Sequence, residues 1–223
     1  MPDYSRSAQL CLPSDRSAGR AARGWGMLPD MQPRGVRLSI DYGTATTTAV
    51  ATGVGGRTVP VLVEGDPSMP SGVAADPQTG QLVAGAAAQA AGVDRPDCYV
   101  AFPKRCIGRG QVDVGGRQVE VVDLVATALR LVRTETTRTI GAPVERVILA
   151  VPAGWGPRRR QVLAEAARRA GLPPPAMVAA PVAVATGLFA DTPTAVPVGG
   201  CLLVCDAGAG SLDLAVVQRT PTG

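Results

Sequence analysis

Two stretches of this chain place an aspartate at the end of an apolar run and follow it with a turn of small residues. In the first, Leu38-Ser39-Ile40 leads to Asp41, then Tyr42-Gly43-Thr44-Ala45, then Thr46-Thr47-Thr48-Ala49-Val50. In the second, Leu202-Leu203-Val204-Cys205 leads to Asp206, then Ala207-Gly208-Ala209-Gly210-Ser211, then Leu212-Asp213-Leu214-Ala215-Val216-Val217. A turn of this make aims several backbone N–H groups at one point, which suits a phosphate. The aspartate beside it suits a hard cation such as Mg²⁺, held largely through water. Two such hairpins face to face would grip the phosphate tail of a nucleotide from both sides.

The rest of the composition narrows the chemistry. The chain has no histidine, so Ser-His-Asp and Cys-His catalysis and histidine metal sites are excluded within it. Its five cysteines, Cys11, Cys98, Cys106, Cys201 and Cys205, include no C-x-x-C pair, and an odd count argues against a complete disulfide framework. Cys201 and Cys205 share one strand face and read as small apolar fillers, which points to buried free thiols and a reducing cytoplasm. Aromatics make up only 3% of residues, which leaves little material for base stacking. The net charge of +4 fits an anionic small ligand, and no nucleic-acid motif accompanies it. No apolar run is long enough to span a bilayer. Residues 1–34 hold Arg16, Arg20 and Arg23 among small polar residues and read as a disordered basic leader.

The elements that must position the two turns follow from pattern. Val36–Asp41, Thr46–Thr52 and Thr58–Val63 read as an antiparallel meander, with Gly55-Gly56 as a tight turn. No helix follows the first glycine turn, which disfavours a Rossmann or P-loop unit. Gly115-Gly116 marks a hairpin between residues 111–114 and 117–121. Val121, Val125, Ala128 and Val132 recur at helical spacing, which predicts an amphipathic helix over about 122–138. Residues 144–151 read as a buried strand. Pro157 opens the next helix and Gly171 closes it, with Leu163, Ala166 and Ala170 inward and the arginines outward. Met177–Ala179 reads as a short strand and Val182–Phe189 as a helix.

Five segments together resemble the first half of the nucleotide-binding domain of heat-shock protein 70 chaperones of the DnaK type. They are Ile40-Asp41-Tyr42-Gly43-Thr44; Pro70-Ser71 with Val83-Ala84-Gly85; Phe102-Pro103-Lys104-Arg105-Cys106-Ile107-Gly108-Arg109; Val147-Ile148-Leu149-Ala150-Val151-Pro152-Ala153 with Arg160-Gln161 and Ala170-Gly171-Leu172; and Asp206-Ala207-Gly208-Ala209-Gly210-Ser211-Leu212-Asp213. The lysine-bearing and Val-Pro-Ala segments favour this branch over the sugar kinases and actins of the same superfamily. The resemblance implies an α/β actin-like ATPase lobe of ribonuclease H type. Such a lobe has a mixed sheet flanked by helices, with a small α/β subdomain inserted over about 66–140. It spans 35–223, and the second lobe of the domain is absent from the chain.

The same resemblance implies the roles. Gly43, Thr44, Ala45 and Thr46 would wrap the phosphates of ATP, and Gly208, Ala209, Gly210, Ser211 and Asp213 would contact them from the other side. Asp41 and Asp206 would hold Mg²⁺ through water. Lys104 would reach the γ-phosphate and attacking water; taken alone, without the resemblance, it reads as a solvated surface charge. Pro152 and Arg160 match positions that relay nucleotide state. The implied parent is a cytoplasmic stress-response chaperone, binding unfolded peptide and co-chaperones through parts outside this chain.

Two departures bear on activity. The family has Asn-Glu before a proline where this chain has Ala179-Ala180 before Pro181. A methyl group neither accepts a hydrogen bond nor carries charge, and losing such a group costs roughly 10²–10⁴-fold in rate. ATPase turnover is therefore expected to be weak or absent, and the alternatives are a non-hydrolysing nucleotide sensor or scaffold, or a truncated inactive fragment. Ala209 replaces a glycine; were its φ positive, alanine would cost about 1 kcal/mol.

Overall fold

The computed structural model describes residues 35–53, 55–76 and 78–221. The expected basic leader, residues 1–34, lies outside the described residues.

Alternation sets the first strand. In β1 (Val36–Tyr42), Val36, Leu38, Ile40 and Tyr42 are buried, and Arg37, Ser39 and Asp41 turn to the other face. β2 (Thr46–Thr52) returns antiparallel, with Ile40 opposite Ala49 and Asp41 opposite Thr48. β3 (Thr58–Pro60) pairs with the far half of β2. The expected strand over 58–63 is shorter than its apolar run, because the chain turns at Val63, which bridges to Asp66. β4 (Ser68–Pro70), which the pattern did not mark, pairs with the near half of β2.

Residues 73–120 build two smaller sheets. β5 (Val73–Ala75), β6 (Leu82–Ala84) and β7 (Tyr99–Val100) form one, with β5 in the middle. Helix α1 (Ala86–Asp94) lies between β6 and β7, and the four-residue α2 (Pro103–Cys106) follows β7. β8 (Gln111–Val114) and β9 (Arg117–Glu120) pair around Gly115-Gly116, both at positive φ as that turn demands.

Helix α3 (Val121–Ile140) runs a little past the expected 122–138 and ends on Gly141 in the left-handed conformation. β10 (Val144–Val151) lies parallel to β1, with Ile40 beside Leu149 and Asp41 beside Ala150. Helix α4 (Pro157–Arg169) opens on Pro157, and Gly171 just beyond it has φ 74°. β11 (Ala176–Ala179) lies parallel to β10 and runs directly into α5 (Ala180–Asp191). The main sheet therefore reads β11-β10-β1-β2-β3, a mixed sheet with helices packed on it.

One apolar cluster holds these parts together. Leu38 and Ile40 of β1 and Val147 and Leu149 of β10 meet Leu124, Val125 and Leu129 of α3 and Leu163 and Ala166 of α4. Glu165 and Arg169, four apart on α4, pair at 3.0 Å. Arg169 also reaches Glu120 at 2.6 Å and Asp123 at 2.7 Å, so it bolts α4 to the start of α3. The carboxyl of Glu165 is held below its usual range by Arg168 first and then Arg169.

The last two strands stand apart. β12 (Cys201–Ala207) and β13 (Leu212–Gln218) pair only with each other, and α5 packs on them. Leu202, Val204, Ala215 and Val217 form the more covered face of this ribbon. The opposite face carries Cys201, Leu203, Cys205, Leu212, Leu214 and Val216, all exposed. The expectation that Cys201 and Cys205 are buried fillers is thus corrected. They do share a face, but nothing among the described residues covers it. Cys98 is buried and Cys106 half-buried, and all four are free thiols.

Leu149 sits fully buried in the strand between β1 and β11. Leu149→Ala is expected to cost about 2–5 kcal/mol in urea unfolding. Val93→Ala, at an 81% exposed position on α1, should stay within about 0.5 kcal/mol. Equal effects would mean that the core is wrongly located.

Candidate functional site

Three strands of the main sheet, β1, β10 and β11, run parallel, so their C-terminal ends share one edge. In open α/β sheets ligands bind at that edge. Asp41 and the loop 43–45 leave the end of β1, Pro152–Trp155 leave β10, and Ala180 begins where β11 stops.

The first turn is built from behind. Ser71 is fully buried, and its N–H donates to the carbonyl of Ala45 at 2.8 Å. Its hydroxyl donates to the carbonyl of Gly43 at 3.0 Å and lies 2.8 Å from the Thr47 hydroxyl. Two carbonyls of the turn are thereby drawn to one side. Among the described residues, no backbone acceptor takes the N–H groups of Gly43, Thr44 or Ala45. Gly43 is required by space: a Cβ there would stand 2.2 Å from the carbonyl oxygen of Thr46.

The second turn comes to meet the first. A Cβ on Gly210 would lie 2.7 Å from the Thr44 hydroxyl, so the two loops touch. The N–H of Gly208 is used inside its own turn, donating to the Ser211 carbonyl at 2.9 Å. Those of Ala209, Gly210 and Ser211 have no backbone acceptor among the described residues. The Ser211 hydroxyl lies 2.8 Å from Asp213, which stands directly across the ribbon from Asp206. Glu64 is the one non-glycine residue at positive φ among those described, so Ala209 sits in its turn without backbone strain.

Charge converges here. Asp41, Asp206 and Asp213 all act on Lys104 of α2. The Asp41 carboxyl is reachable by water, yet protein crowds it on several sides. That desolvation is the main cause that pushes its pKa up; the Lys104 ammonium opposes the shift and Asp206 adds to it. Burial lowers the pKa of Lys104, against the pull of Asp41, Asp206 and Asp213. No three of these carboxylates and thiols lie close enough to cage a metal ion among the described residues. The arrangement can therefore take an anion on its N–H groups and lysine, and a cation between paired carboxylates through water.

Two contributors were not visible as such in the sequence. Ser71 was read only as part of a resembling segment; its spacing from Gly43 carries no periodic signal. Trp155 lies with its ring centroid 5.6 Å from the Lys104 ammonium nitrogen, and no pattern pairs a helix-entry tryptophan with a distant lysine. Arg160 donates to the Trp155 carbonyl at 2.9 Å, and Pro152 accepts from the Trp155 N–H at 3.1 Å.

A carboxyl whose pKa is raised on folding favours the fold at low pH and opposes it as pH rises through the raised value. Asp41→Asn should therefore raise the midpoint of thermal unfolding at neutral pH. The gain should vanish below about pH 4, where the carboxyl is protonated in both states. A lower midpoint at neutral pH would show that Lys104 outweighs the crowding.

A sequence profile described as Hsp70 protein matches residues 110–220. The chain is 29% identical over 191 residues to a chaperone protein DnaK of Elusimicrobium minutum, covering 83% of this chain and 30% of that protein. It is 31% identical over 187 residues to a chaperone protein DnaK of Halobacterium salinarum, covering 81% of this chain and 28% of the relative. A chaperone protein HscA homolog of Azotobacter vinelandii is 28% identical over 219 residues, with 87% and 34% covered. The chain thus spans about a third or less of the length of these relatives. It belongs to the heat-shock protein 70 family, and corresponds to part of that family's nucleotide-binding domain.

Proposed function

We propose that this chain is the ATP- and Mg²⁺-binding lobe of a cytoplasmic Hsp70-like chaperone. In the longer parent, nucleotide binding and hydrolysis would be coupled to capture of unfolded peptide and to co-chaperones. One observation supports the reading most: two glycine turns from opposite ends of the described chain touch at the sheet edge, with a lysine and aspartates around them. The N–H groups of Gly43, Thr44 and Ala45 take the phosphates from one side, with Thr46 closing the loop. Ala209, Gly210 and Ser211 take them from the other, with Gly208 shaping that turn. Lys104 faces the terminal phosphate.

The residues fit a hydrated Mg²⁺. Asp41 and Asp206 are near enough for each to feel the other's charge, and a cation between them relieves the repulsion. When bound, the ion supplies charge neutralisation at the bridging phosphates. Asp213 lies across from Asp206 and is oriented by Ser211.

A second reading, a nucleotide sensor that does not hydrolyse, rests on Ala180. This residue opens α5 at the same sheet edge as Asp41, two strands away, and offers no carboxylate to orient water. Phosphoryl transfer depends on positioning and charge stabilisation, so binding can outlive turnover when such a group is lost.

Isothermal titration of the full-length protein with Mg-ATP is expected to show saturable heat; none at millimolar nucleotide would remove the proposal. Single-turnover hydrolysis separates the two readings. The sensor reading expects Ala180→Glu to raise the rate by about 10²-fold or more. A wild-type rate that the substitution leaves unchanged would favour a working ATPase that does without this carboxylate.

A further inference from the structure

Lys104 lies in a four-residue helix, too short to fix a long flexible side chain. Among the described residues no carboxylate lies within ion-pair distance of its ammonium group. Its close partner is the Trp155 ring, with the ring centroid at 5.6 Å. Tryptophan is the best of the aromatic faces for a cation. The ring is also held: its backbone is pinned by Pro152 and Arg160, and the Arg159 guanidinium lies 5.8 Å from its centroid. The ring and the two glycine turns occupy the same edge of the sheet.

We infer that Trp155 is a positioning residue for Lys104, parking the ammonium beside the two turns until an anion draws it off the indole face. This rests on the phosphate-binding reading above. The free lysine side chain carries a large rotamer entropy, and a ring that confines it lowers the cost of engaging phosphate. The contact also makes the indole a reporter, because moving a positive charge off the ring changes its emission.

The test uses the full chain with Trp25→Phe, which leaves Trp155 as its single tryptophan. Without ligand, Lys104→Met should shift the emission maximum. Mg-ATP should shift it too, saturating at the dissociation constant found by calorimetry, and Lys104→Met should abolish that response. Trp155→Leu should weaken nucleotide binding about two- to fivefold, and Trp155→Phe should recover most of the loss. Calorimetric binding with silent emission overturns this inference and leaves the phosphate-binding reading standing. An undiminished response in Lys104→Met also overturns it. Absence of both heat and emission change defeats the phosphate-binding reading and this inference together.

Discussion

The site depends on holding like charges together, with the Asp41 carboxyl crowded by protein and Asp206 adding to its cost of ionising. Asp41 leaves the sheet on the face opposite the core, and the ribbon carrying Asp206 and Asp213 is brought against it. Carboxylates directly opposite each other on paired strands repel. Lys104 offsets part of this, and its own burial works against its charge. Such an arrangement persists only because the surrounding structure over-determines it. Here the over-determination is visible: β1 is pinned between β2 and β10, and Ser71 anchors the first turn through three contacts. The repulsion between these carboxylates is one that a cation bound between them would relieve.

Much of the frame was legible because it follows from local pattern. Alternating burial in β1, the Gly115-Gly116 turn, the apolar stripe of α3, and the Pro157 and Gly171 limits of α4 each reflect a period or a residue with restricted backbone geometry. The contact between the two glycine turns could be anticipated from their likeness, since residues 44 and 210 are far apart in the chain. What stayed hidden was tertiary. Arg169 serving three carboxylates, Ser71 behind the first turn and Trp155 over Lys104 all join residues whose spacing has no period. β4 was missed because Ser68-Met69-Pro70 has weak strand character, and only the free near half of β2 makes it a strand.

The misjudged cysteines show where pattern reading ends. An apolar strand predicts burial only if something covers it, and sequence does not say what. Cys201, Leu203, Cys205, Leu212, Leu214 and Val216 form an exposed apolar face with no charged residue, on a ribbon that α5 packs against. Exposed apolar surface of this kind marks an interaction surface more often than a free one. Asp206 and Asp213 lie on the opposite face of the same ribbon.

The departures from the family differ in weight once the geometry is known. Ala209 lies in a turn that needs no positive φ, so its methyl group costs little backbone strain and leaves its N–H free to donate. Ala180 stands at the same sheet edge as Asp41, two strands away, and offers no group able to orient water. On the proposed reading, the first substitution is compatible with both gripping and cleaving a phosphate tail, whereas the second would touch only the cleaving, so binding and turnover would be separable. On the proposed reading the donors that would grip are backbone N–H groups, which substitutions other than proline leave in place, while the group that would activate water is a single side chain that this sequence lacks.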